Sequence, residues 1–190
     1  AGRRRYSRAG LLGLVTCMAA ALVVVKLNEP PATPQGESTR AKGPPRLLAF
    51  RHAGEQAERL DQDAIVRAGD VIQLRYKAEG QSYGVIASVD GAGVVTLHYP
   101  LREDAPPQAT AVTETAALPN AYSLDDAPRF ERFFFVTASG PIDVQRTLAA
   151  LRALGQRDDS ATAVLDLPAG MRQWSLRLRK PDRTSTHDSP

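Results

Sequence analysis

The chain has 190 residues, with 24 Lys and Arg against 21 Asp and Glu and a formal net charge of +3. The excess is regional: residues 1–45 carry seven basic side chains against Glu29 and Glu37, whereas residues 46–180 carry sixteen against seventeen acidic ones. A nearly neutral body excludes a nucleic-acid-binding face, and a single cysteine, Cys17, excludes an intramolecular disulfide.

In chain order, residues 1–8 form a basic flank with Arg3, Arg4, Arg5 and Arg8. From Ala9 to Val25 run seventeen uncharged residues, closed by Lys26. At about 1.5 Å rise per residue this run spans roughly 25 Å, and a snorkelling Lys26 lets Leu27 join it. The pattern predicts a transmembrane helix over 9–27, with the basic flank in the cytoplasm and everything from about Asn28 onward across the membrane. A cleaved signal peptide is the rival reading. Its cleavage site is poor, because Val23-Val24-Val25-Lys26-Leu27 has no small residues where cleavage needs them. A lipid anchor on Cys17 would need a small residue before it and an apolar run ending there; Thr16 precedes it and the run continues to Val25. The chain starts with Ala, which points to a removed initiator or to the C-terminal piece of a longer protein. Residues 28–45 hold five of the fourteen prolines and almost no large apolar side chains, so they read as an extended spacer. Residues 46–180 are the expected domain and 181–190 a polar, disordered tail.

Within the domain, Arg46–His52 is an apolar run fit for a first strand, followed by a polar stretch from Glu55 to Asp63. In 71–78, Ile72, Leu74, Tyr76 and Ala78 alternate with Gln73, Arg75 and Lys77, the period of a half-buried strand. Strands are predicted at 83–89 and 94–99, joined by Asp90-Gly91-Ala92-Gly93, whose glycines suit a tight hairpin. A charged, Pro-rich loop over 102–110 precedes a weaker strand over 111–118. Residues 130–138 include Phe133, Phe134, Phe135 and Val136 in succession, as in a central strand covered on both faces. A helix follows, with Ser139 as cap, Pro141 just inside, Asp143 complementing the positive end, a Val144, Leu148 and Leu151 stripe, and Gly155 at its end. After a polar loop over 156–160, strands are predicted at 163–167 and through Trp174, Leu176 and Leu178, which alternate with Ser175, Arg177 and Arg179. The order predicts a mainly antiparallel, sandwich-like α+β domain with one late helix, not a parallel nucleotide-binding sheet.

Residue types with chemical potential are few. Asp125, Asp126 and Glu131 contain the carboxylates of an acid/base pair or cation site, but the Pro128 context reads better as a turn or cap. His98, Ser88 and Asp90 contain the residue types of a hydrolase triad, yet Asp90 fits the hairpin turn and His98 the polar face of its strand. His52 and His187 show no metal-ligand spacing, and no phosphate-cradling glycine loop or dinucleotide fingerprint is present. The expectation is a protein with no catalytic residues, metal or cofactor. Loops 101–110 and 119–129 are the expected contact surface for a protein or polar ligand, with Asp125, Asp126, Arg129 and Glu131 as its candidate residues.

Three segments resemble one family: Ala68–Tyr76 (AGDVIQLRY), Tyr83–Pro100 (YGVIASVDGAGVVTLHYP) and Leu118–Val136 (LPNAYSLDDAPRFERFFFV). They look like the ActD-like bacterial membrane proteins, familiar from myxobacteria. The likeness covers about residues 65 to 155, with Leu167–Leu176 matching more loosely. It implies a single-pass protein of the bacterial inner membrane, with a periplasmic domain and an anti-sigma-like cytoplasmic segment upstream that contacts a cytoplasmic regulator. The function so implied is sensory or regulatory; the alternative is an envelope structural or assembly module without signalling. The family supplies no catalytic residues to carry over.

Overall fold

The computed structural model of the chain describes residues 43–54, 56–105 and 115–181. The chain divides between Thr39 and Arg40 into two units, and every described residue belongs to the second. The expected transmembrane segment, residues 28–42 of the spacer, the start of the expected 111–118 strand and all but the first residue of the tail lie outside the described residues. Among the described residues, no helix is long and apolar enough to cross a membrane.

The elements are β1 (Arg46–Ala53), β2 (Gln56–Leu60), β3 (Val71–Lys77), β4 (Tyr83–Asp90), β5 (Val95–Tyr99), β6 (Ala116–Ser123), β7 (Phe130–Ala138), α1 (Val144–Gly155) and β8 (Arg172–Arg179). They form two four-stranded antiparallel sheets, β2-β1-β3-β6 and β5-β4-β7-β8. Side chains alternate across a strand, and this decides the layers. Phe133, Phe135, Ile86, Leu176 and Leu178 meet Leu47, Ile72, Leu74 and Tyr76 of the other sheet in one core. Phe134, Val136, Val85, Ala87 and Val89 point the opposite way and pack under Val144, Leu148, Leu151 and Leu154 of α1. The second sheet is therefore the middle of three layers, and all nine residues of β7 are buried. That is why alternation is lost at the phenylalanine run, as expected of a strand with no solvent face.

The hairpin between β4 and β5 forms as its sequence predicts. Asp90 Oδ1 accepts hydrogen bonds from the Ala92 and Val94 amides at 2.8 and 2.9 Å, and Gly93 takes a φ of 83°. Gly91 is required for a different reason: a Cβ there would lie 1.7 Å from the Pro128 carbonyl oxygen.

Four details depart from the sequence reading. Gln56–Leu60, read as part of a polar stretch, is an edge strand with four exposed residues in five; a strand paired on one side needs little apolar surface. The strand expected over 111–118 continues past Leu118: its described part runs from Ala116 to Ser123 and carries Pro119 in a bulge against β3, where Gln73 Nε2 donates to the Leu118 carbonyl at 2.8 Å. Residues 163–167 are not a strand. Their backbone is held by one side chain, with the Leu165 amide donating to Gln173 Oε1 at 3.0 Å and Gln173 Nε2 donating to the Leu165 carbonyl at 2.6 Å. The helix begins after Asp143, not Ser139: Asp143 is extended and accepts from the Arg146 amide at 3.0 Å.

Candidate binding cleft

The residues singled out for chemistry gather at the end of the sandwich marked by the Asp90–Gly93 turn. There a cleft of about 280 Å3 opens between β4, β5 and β7 on one side and the end of β6 with Leu124 and Asp125 on the other. A register shift sets it up. Ile86 pairs with Tyr99 but Ala87 with Leu97, so His98 is the extra residue of a β-bulge and turns into the cleft beside Ser88.

From His98 a row of polar groups runs along the cleft. His98 Nε2 lies 3.0 Å from Ser88 Oγ, and the Glu131 carboxylate lines the same cleft. The other ring nitrogen, Nδ1, is buried and without a partner among the described residues. Burial holds the imidazole neutral, with its pKa lowered to about 4. Tyr122 packs edge-on against the ring at 4.3 Å, and its hydroxyl donates to the His98 carbonyl at 3.3 Å.

The row ends in an ion cluster. Lys180 Nζ donates to Glu131 Oε2 at 3.1 Å and to Asp125 Oδ1 at 2.8 Å. The side chains of Lys180 and Glu131 are 5% and 10% exposed, while that of Asp125 is 64% exposed. Burial pushes the Glu131 carboxyl up, against the Ser88 hydroxyl and the Lys180 charge that hold it down. Burial also works against the charged Lys180, but Asp125 and Glu131 outweigh it and its pKa rises. The Lys180 hydrogen bond is the main cause that lowers the Asp125 carboxyl.

Of the residues chosen from sequence, Asp125 is thus the wet end of a buried network and Glu131 its dry middle, inside β7 and away from the loop surface. Asp126 lies exposed beside Asp125. Arg129 is exposed, takes a left-handed φ of 70° and donates to the Gly91 carbonyl, on the outer side of the same end. His98 and Ser88 do meet. Asp90 does not join them, because its carboxylate is engaged by the turn amides; the carboxylate beside Ser88 is Glu131. His52 is exposed on β1, and His187 lies outside the described residues. Among the described residues no cluster of three or more His, Cys, Asp or Glu could hold a metal ion.

Sequence reading passed over Lys180, although a signal existed. Lys180 continues the inward series Trp174, Leu176, Leu178, and Glu131 continues Phe133 and Phe135 on the neighbouring strand. A lysine and a glutamate on two buried faces need each other.

No protein-family model matches the chain, and comparisons with curated proteins and with solved structures find no match.

Proposed function

We propose that the chain is a membrane-anchored, extracytoplasmic binding protein with a regulatory role, and that residues 46–180 form its non-catalytic binding domain. The observation that carries binding over catalysis is that, among the described residues, no acid sits on His98 Nδ1. A serine nucleophile needs a base that takes its proton. Here His98 Nε2 does lie by Ser88 Oγ, but no described acid orients the ring from Nδ1, burial lowers the imidazole pKa to about 4, and the nearby acid, Glu131, is engaged by Lys180. The cleft instead gathers Ser88, His98, Tyr122, Ser123 and the exposed Asp125 carboxylate in one polar lining, a setting that suits a polar ligand. The membrane part of the proposal is supported by the uncharged Ala9–Val25 run, its four-arginine flank and the Pro-rich spacer. The likeness of three segments to ActD-like proteins supports the regulatory part.

The test replaces residues 46–180 by an unrelated β-sandwich in the full chain and profiles transcription in the native cell. The regulatory reading expects a confined set of transcripts to change. An envelope defect without a confined transcriptional change would favour a structural or assembly module. His98→Ala, at matched protein level, should leave regulatory output measurable; complete loss with intact fold would reopen catalysis.

A further inference from the structure

A second feature lies at the same end of the domain but on the outer side of the β5-β4-β7-β8 sheet. Alternation along β8 sends Ser175, Arg177 and Arg179 away from the intersheet core, and the register sets Arg177 beside Arg132 and Arg179 beside Phe130. Arg129, Arg177 and Arg179 converge with Phe130 and Ala161 on a recess of about 280 Å3. No carboxylate of the described residues lines it. Arg177 is fixed in place: Nε donates to Asp63 Oδ1 at 2.6 Å and Nη1 to the Ala161 carbonyl at 3.1 Å. Arg129 is held by its bond to the Gly91 carbonyl.

Beneath Arg177 the charge is reinforced. Arg132 is buried, lies 4.5 Å over the Phe134 ring, and donates to the Ser160 and Ala163 carbonyls and to Ser175 Oγ, not to a carboxylate of the described residues. Of these four guanidinium groups, Arg177 is paired with an acid, Asp63, in a domain that is close to neutral as a whole. Buried or half-fixed arginines with unspent N–H donors present a fork that matches paired oxygens of an oxyanion.

We propose that this recess is an oxyanion site for the phosphate group of a phosphate ester, with Arg179 and Arg129 contacting the phosphate and Arg177 forming the fixed wall. The surplus of positive charge favours a phosphate dianion over a carboxylate monoanion. The site is separate from the cleft between the sheets, and its assignment does not depend on membrane anchoring.

The experiment titrates the full chain in neutral detergent by calorimetry, at constant ionic strength set with chloride. The probes are inorganic phosphate, glycerol 3-phosphate and short-chain phosphatidylglycerol at monomeric concentration. Saturable binding of at least one probe is expected, weakened about tenfold by Arg179→Gln and by Arg129→Gln, as for loss of one charge-assisted contact. Arg152→Gln, on α1 and paired with Glu103 at 3.5 Å, should bind as the parent does. Tighter binding of the lipid than of glycerol 3-phosphate would place the phosphate in a membrane headgroup, and equal binding would place it in a soluble ester; both uphold the site. No saturable binding of any probe, or unchanged binding in both Arg179→Gln and Arg129→Gln, would overturn it.

Discussion

Arg179 and Lys180 are neighbours in sequence and opposites in use. Lys180 turns inward, is 5% exposed at its side chain and touches two carboxylates, one of them buried. Arg179 turns outward into a recess that no described carboxylate lines. Strand alternation alone separates them. The inward charge is consumed in closing the end of the sandwich, while the outward charge is left for something else to meet. The same division separates the two faces of β7, where Glu131 faces the ion cluster and Arg132 supports the outer recess.

If the inner network is structural, breaking it is expensive. Lys180→Met leaves Glu131 buried without its counter-ion and should cost about 3 kcal/mol or more at neutral pH, read by chemical denaturation. The Lys180→Met, Glu131→Leu double variant should recover most of that, because a buried pair replaced as a unit is close to neutral. A double variant as unstable as the sum of its parts would break the contrast with Arg179.

His98 should show itself in acid. The unfolded chain takes up its proton near the ordinary pKa of 6.5 and the folded chain only near 4, so between these values acid favours unfolding. Stability from this group should be fully present above about pH 6.5 and fall by up to about 3 kcal/mol as pH drops toward 4. His98→Leu should flatten that part of the pH profile of unfolding; an unchanged slope would mean that His98 is not held neutral.

Much of this was legible in the residues, and the gaps have physical causes. The hairpin, the doubly covered β7 and the late helix follow from local patterns: turn chemistry, loss of alternation and a 3.6-residue stripe. The missed pieces depend on distant partners. No local pattern in residues 163–167 says that Gln173 will take the place of a neighbouring strand, and none in Gln56–Leu60 says that β1 will lend it an edge. The His98 and Ser88 meeting was visible as residue types on adjoining strands, but the bulge that aims His98 and the identity of the carboxylate beside Ser88 were not. Arg177 and Arg179 were legible as the residues that alternate with Leu176 and Leu178; their convergence with Arg129 needs the turn at Pro128 to bring it alongside.

Two smaller effects sharpen the same comparison. Gln173→Ala removes both bonds that hold Leu165 and should cost about 1–2 kcal/mol, with faster amide exchange at Leu165. Arg179→Gln should leave stability within about 0.5 kcal/mol of the parent, as befits a charge that is not part of the frame. A loss as large as that of Lys180→Met would show that both charges are structural.

The reading of the whole chain rests on where the domain resides. Val164 is 75% exposed, so a Val164→Cys variant in a Cys17→Ser background offers one accessible thiol on the described surface. Labelled with a membrane-impermeant maleimide in intact spheroplasts, with membranes then separated from soluble protein, it should react before lysis and sediment with the membrane. Reaction only after lysis would put the domain in the cytoplasm, and a labelled protein in the soluble fraction would show that it is not anchored; either result would contradict an anchored extracytoplasmic binding domain.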